Sequence, residues 1–180
     1  MSRLYPRSLL LPALLVVTGL VLCGLAAPSP APQAQKGFAT SNVLPDLTWD
    51  PVNADPIQLG EQEGSALLIM FMDANMNACI KQLDVVKPIE ERYAPKGLKV
   101  ITVCATEPAA TVHPDSIFIE KGVEWPLVMW HDPAELERYG VTDLPVNVIV
   151  DRESKVLNRF GAISQYNAFS LEQNLVVALR

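Results

Sequence analysis

Three cysteines, Cys23, Cys79 and Cys104, carry the chemistry in this sequence that goes beyond ordinary acid–base solvation. A thiolate attacks disulfides, peroxides and soft metals, and two thiols can close a disulfide. Met70, Met72, Met76 and Cys79 fall within ten residues of one another and are soft ligands of the kind copper(I) accepts. Met70 and Met72 alternate onto one face of an apolar run, where core packing is the better account, so copper(I) handling is a minor alternative and no metal site is assigned. His113 and His131 lie in loops at the ends of elements and read as solvated side chains rather than ligands. Nothing resembles a phosphate-binding loop or a Ser/His/Asp arrangement, and no cofactor is implied.

The elements that must position these sulfurs are readable. Residues 67–72 (Leu-Leu-Ile-Met-Phe-Met) are continuously apolar, as in a strand buried on both faces of a parallel sheet. Ile80, Leu83, Val86, Ile89 and Tyr93 recur every three or four residues and give one apolar helix face, with Pro88 inside the pattern predicting a kink. Pro95-Lys96-Gly97 closes that helix, and residues 98–104 form a second buried strand, completing a parallel crossover unit. Cys104 ends the strand expected beside residues 67–72, close enough for a disulfide with Cys79 to be a candidate. Residues 105–114 read as loop, 115–121 as a short helix ending at Gly122, and 125–130 as a third strand. Asp132-Pro133-Ala134-Glu135 is a helix start with an acidic cap and proline in the first turn, and that helix stops at Gly140. Residues 146–150 and 155–160 flank the polar turn 151–154 as a hairpin, and a last helix begins at Ser170. Residues 43–59, broken by Pro45, Pro51 and Pro56, form an irregular N-terminal hairpin extension. The order specifies an α/β fold with a mixed sheet flanked by helices.

Ahead of this lies a different kind of sequence. Arg3 and Arg7 precede an apolar run from 9 to 27, the pattern of an export signal or single membrane anchor. Nineteen residues at about 1.5 Å each reach about 28 Å, marginal for spanning a bilayer core. Cys23 sits within this leader, but Leu22 is too large for the small residue that usually precedes a lipid-bearing cysteine. A Pro/Ala-rich spacer follows, giving three regions: leader 1–27, spacer 28–42 and globular domain 43–180. Without the leader the chain keeps 12 basic and 20 acidic residues, a net charge of −8. Such an acidic domain repels phosphate backbones, which excludes nucleic acid as an expected partner.

Residues 71–79, Phe-Met-Asp-Ala-Asn-Met-Asn-Ala-Cys, resemble the active-site junction F-W-A-x-W-C-x-x-C of the thioredoxin-like redoxins, especially the membrane-anchored TlpA-like thiol–disulfide proteins of bacterial envelopes. Phe71 matches the phenylalanine and Cys79 the second cysteine. Met76 stands where the first cysteine belongs, and Met72 and Asn75 replace the two tryptophans. Gly97 matches the turn glycine after the first helix. Asp132-Pro133 and Tyr139-Gly140-Val141 resemble the family's D-P-x-x-x-x-x-x-Y-G-V segment. Leu144-Pro145 is similar to its cis-proline site, and Leu44-Pro45-Asp46-Leu47 to its A-P-D-F entry hairpin. The similarity extends over residues 43–180.

The resemblance implies a thioredoxin-like fold, protein or peptide thiols and disulfides as partners, attachment to a membrane through the N-terminal segment, and an extracytoplasmic location in the bacterial periplasm or cell envelope, anchored or secreted. It also implies a damaged site. Met76 has a thioether with no ionisable proton and cannot attack a disulfide. Cys79 then remains as an inert buried thiol or as a single redox thiol. Peroxide-reducing relatives place their cysteine at the fourth position of T-x-x-C, the register of Cys79, but Met76 replaces the threonine. The expectation is weak or single-thiol redox activity, with a non-catalytic module that binds an extended peptide beside Pro145 as the alternative.

Overall fold

The computed structural model describes residues 43–44, 46–105, 112–130, 136 and 140–180. The leader and spacer, Cys23, Pro45, His131, Asp132 to Glu135 and Tyr139 lie outside the described residues.

A five-stranded mixed sheet organises the domain. Its strands are β3 (Ala66–Met72), β4 (Leu98–Ala105), β5 (Leu127–Trp130), β6 (Val146–Val150) and β7 (Val156–Phe160), in the order β5-β4-β3-β6-β7. β3 pairs in parallel with β4 and antiparallel with β6, and β4 pairs in parallel with β5. All seven residues of β3 are buried, which explains its unbroken apolar composition. Alternation along β3 divides the core in two. Leu68, Met70 and Met72 pack against helices α1 (Asn77–Tyr93), α2 (Pro114–Lys121) and α3 (Ala168–Ala178). Leu67, Ile69 and Phe71 face the other way, toward Trp49, Leu59, Leu136 and Val141. Trp49 meets both Phe71 and Trp130 edge-on, with ring centroids 6.4 and 6.3 Å apart.

The N-terminal extension is a two-residue antiparallel pairing of β1 (Thr48–Trp49) with β2 (Ile57–Gln58). α1 buries Cys79, Gln82, Leu83, Val86, Ile89 and Tyr93, and it continues through Pro88 to Tyr93 as one helix. Gly97 and Gly122 take positive φ of 95° and 58° after α1's 3-10 extension and α2, the left-handed stops that non-glycine residues resist. The starts of β3, α2 and β7 differ by one residue from the sequence reading, and two differ by two: β5 begins at Leu127 rather than Trp125, and α3 at Ala168 rather than Ser170. Trp125, just before β5, is buried and its indole N–H donates to Thr102 Oγ1 at 2.9 Å. Among the described residues no helix is long and apolar enough to cross a membrane.

Candidate functional site

The site lies where β3 gives way to α1. After Met72 the chain turns sharply, held by Asp73. Its Oδ1 accepts the Asn75 backbone N–H at 2.8 Å and the Asn75 side-chain amide at 3.0 Å, while its C=O accepts the Met76 N–H at 3.1 Å. This aspartate turn sets the angle at which α1 leaves the sheet.

Met76 is the N-cap of α1, with extended backbone (φ −95°, ψ 116°) and no side-chain cap. Its C=O accepts N–H bonds from Cys79 (2.9 Å) and Ile80 (3.2 Å). Its side chain is 37% exposed, whereas Cys79, three residues further, is fully buried. The two residues therefore have the relation that an attacking and a releasing cysteine require: one at the exposed helix start, where orphan N–H groups favour negative charge, and one a turn inside. The exposed position holds a thioether.

Cys79 Sγ accepts the Asp73 backbone N–H at 3.4 Å. Burial pushes the thiol's pKa up; the Asp73 amide opposes the rise, and the Asp73 carboxylate adds to it by repelling a thiolate. The thiol form therefore dominates at neutral pH. Cys104 lies beside Met72 in the β3–β4 register, on the same helix-facing side of the sheet as Cys79. Both are buried thiols and no disulfide joins them in this structure.

Pro145 precedes β6 and its peptide bond with Leu144 is cis. Because Phe71 pairs with Val146, Pro145 stands level with Met72 at the end of β3. Thus Met76, Cys79 and Pro145 gather at one end of the sheet. Met70 and Met72 are buried in the helix-side core with Cys79. His113 is exposed at the N-cap of α2. Among the described residues, no group of three or more His, Cys, Asp or Glu side chains is arranged to hold a metal.

One feature of this end was missed by sequence reasoning. Gln82 and Asn147, both fully buried, tie α1 to β6. Asn147 Nδ2 donates to Gln82 Oε1 at 3.1 Å and to the Gly161 C=O at 2.7 Å, and Gln82 Oε1 also accepts the Ile163 N–H at 3.4 Å. These bonds fix both amide orientations and leave Gln82 Nε2 and Asn147 Oδ1 without a hydrogen-bond partner. The signal was present in outline: Gln82 is a polar residue one turn from Cys79 next to the apolar stripe, and Asn147 interrupts a valine-rich strand.

This arrangement of sheet and helices is the thioredoxin-like fold. No protein-family model matches the chain. Thiol-disulfide oxidoreductase ResA of Halalkalibacterium halodurans is 24% identical over 120 residues, 66% of this chain and 64% of that protein, so the chain spans just under two thirds of that relative's length. A protein of Chlorobium tepidum assigned as a DsbE-type thiol:disulfide interchange protein superposes with a TM-score of 0.68 at 21% identity, over 78% of this chain and 97% of the other. A secreted disulfide oxidoreductase of Mycobacterium tuberculosis superposes with a TM-score of 0.60 at 12% identity, over 73% and 96%. The chain thus has the thioredoxin-like fold and is similar in sequence to the thiol–disulfide oxidoreductases.

Proposed function

We propose that this chain is an extracytoplasmic redoxin-type protein that has kept the thiol–disulfide scaffold but lost dithiol turnover, leaving Cys79 as a single, weakly reactive thiol. The observation that carries this reading is the pairing of an exposed Met76 at the start of α1 with a buried Cys79 one turn inside. A disulfide substrate needs a thiolate where Met76 now stands, and the remaining thiol is buried and held protonated. Its expected partners are protein thiols or disulfides, as the name of the ResA relative suggests.

The basic-then-apolar leader and the secreted nature of the Mycobacterium tuberculosis neighbour support export. The burial of Cys79 favours, as a second reading, a non-catalytic module that holds an extended polypeptide beside Pro145.

The central test is turnover. The native chain should reduce a model protein disulfide no faster than the background rate, and turnover like that of an ordinary dithiol thioredoxin would refute the proposal. Location is checked separately by fractionating cells that produce the full chain: it should appear outside the cytoplasm, and recovery wholly in the cytosol would overturn export.

A further inference from the structure

At the opposite end of the sheet, half of one strand has an open edge. Along β4 the backbone groups alternate in direction, and two hydrogen bonds fix the phase. The Ala66 N–H donates to the Gly97 C=O at 3.0 Å, so odd-numbered residues face β3; the Thr102 N–H donates to the Pro126 C=O at 2.9 Å, so even-numbered residues face β5. β5 pairs with β4 only from Thr102 onward. The N–H and C=O groups of Leu98 and Val100 are therefore aimed where no strand lies, although these residues are only 3% and 2% exposed. They open into a cavity of about 560 Å³ between β4, the residues leading into β5 and the second half of α1. Backbone groups so enclosed are costly when they lack partners.

The rim has a sign. Glu90, Glu91 and Glu124 line the cavity, and none has an ion-pair partner among the described residues. The two lysines beside them are turned to neutral acceptors: Lys87 Nζ donates to the Lys121 C=O at 3.2 Å and Lys99 Nζ to Gln62 Oε1 at 2.8 Å. Burial, followed by the charges of Glu91 and Glu124, holds the Glu90 carboxyl above its ordinary pKa, as expected of acids crowded together without a cation.

We propose that the open edge of β4 at Leu98 to Ile101 is a docking site for an extended polypeptide segment of alternating basic and apolar residues, which adds as a strand. The free stretch is four residues, about 13 Å of strand at about 3.3 Å per residue. A segment lying there pairs its backbone with Leu98 and Val100. Its side chains point alternately toward the glutamates on the α1 side and toward Ile57 on the other. The basic residues supply the cations that the rim lacks, and the alternation meets both sides at once.

The test titrates the full chain with a short blocked peptide of alternating lysine and valine. Two control peptides accompany it, one with glutamate for lysine and one N-methylated at alternate residues on its pairing edge. The expected result is saturable binding with backbone amide shifts centred on Leu98 to Ile101. Binding should weaken at least five-fold in E90Q/E91Q and be lost with either control peptide. Both glutamates are at the surface rim, and circular dichroism establishes that the variant is folded. Equal binding of the N-methylated peptide would overturn strand pairing, and equal binding of the glutamate peptide would overturn the charge argument. Absence of binding at millimolar peptide would overturn the site. Because the edge lies far along the sheet from Met76 and Cys79, none of these outcomes depends on the redox reading.

Discussion

At the scale of single residues, the proposed chemistry turns on Met76 and Cys79. They are an N-cap residue and the third helical residue, linked by the Cys79 N–H to Met76 C=O bond of 2.9 Å; on the proposed reading these are the positions of a dithiol pair. What is missing is one ionisable sulfur at the exposed position. Substitution M76C supplies it where helix-terminal N–H groups stabilise a thiolate. The variant should form an internal disulfide with Cys79 and reduce a protein disulfide about ten-fold above the native background, still below an ordinary dithiol enzyme. Asn77-Ala78 and Asn75, both exposed, leave the new sulfur unshielded, which limits the gain. The comparison is with M76C/C79S, which can attack but cannot release. Mass spectrometry and turnover read both variants, and equal inactivity without an internal disulfide would show that Cys79 is not the releasing thiol.

At the scale of elements, the site end depends on how α1 is fastened to the sheet. Apolar contacts from Leu83, Val86 and Ile89 hold the helix down, each burial being worth about 1.5–3 kcal/mol. They do not by themselves fix its position along β3. The Gln82–Asn147 pair adds direction, because its bonds join α1, β6 and the chain after β7 at one point. N147A removes the amide and leaves the Gly161 C=O and the buried Gln82 Oε1 each short of a donor. The expected cost is about 2 kcal/mol of unfolding free energy, measured by denaturant titration. A loss within experimental error of zero would show that the pair is not a structural tie. The partnerless Gln82 Nε2 and Asn147 Oδ1 make this a contact of position more than of net strength.

At the scale of the whole molecule, acidity shapes stability. Glu90 has its pKa raised by burial first and then by Glu91 and Glu124, while Lys87 nearby is engaged with the Lys121 C=O. A carboxyl raised on folding binds its proton more tightly in the folded chain. Its effect on stability is therefore most favourable below the unfolded pKa and is lost as pH rises through the higher folded value. At neutral pH the ionised Glu90 is a standing penalty. E90Q should accordingly raise the thermal midpoint at pH 7 and leave it nearly unchanged at pH 3. A midpoint that falls at pH 7 would mean that Glu90 has a stabilising partner.

The sequence by itself determined the fold class and pointed to Met76 and Cys79 as the pair on which the proposed function turns. Continuous apolar strands, a periodic helix between two of them and glycines at the helix stops specify a crossover unit, and the F-M-D-A-N-M-N-A-C stretch places Met76 and Cys79 without any coordinates. These signals are local: they depend on burial periodicity and on backbone conformations that particular residue types favour. Strand pairing, by contrast, joins residues far apart in the chain, so only the tertiary structure decided that Pro145 stands level with Met72 and that Cys104 lies beside it. It also decided the two features with no local signature. Gln82 and Asn147 are ordinary polar residues until the fold buries them against each other across 65 positions of sequence. The open edge of β4 exists because β5 begins pairing only at Thr102, a register that the sequence does not print.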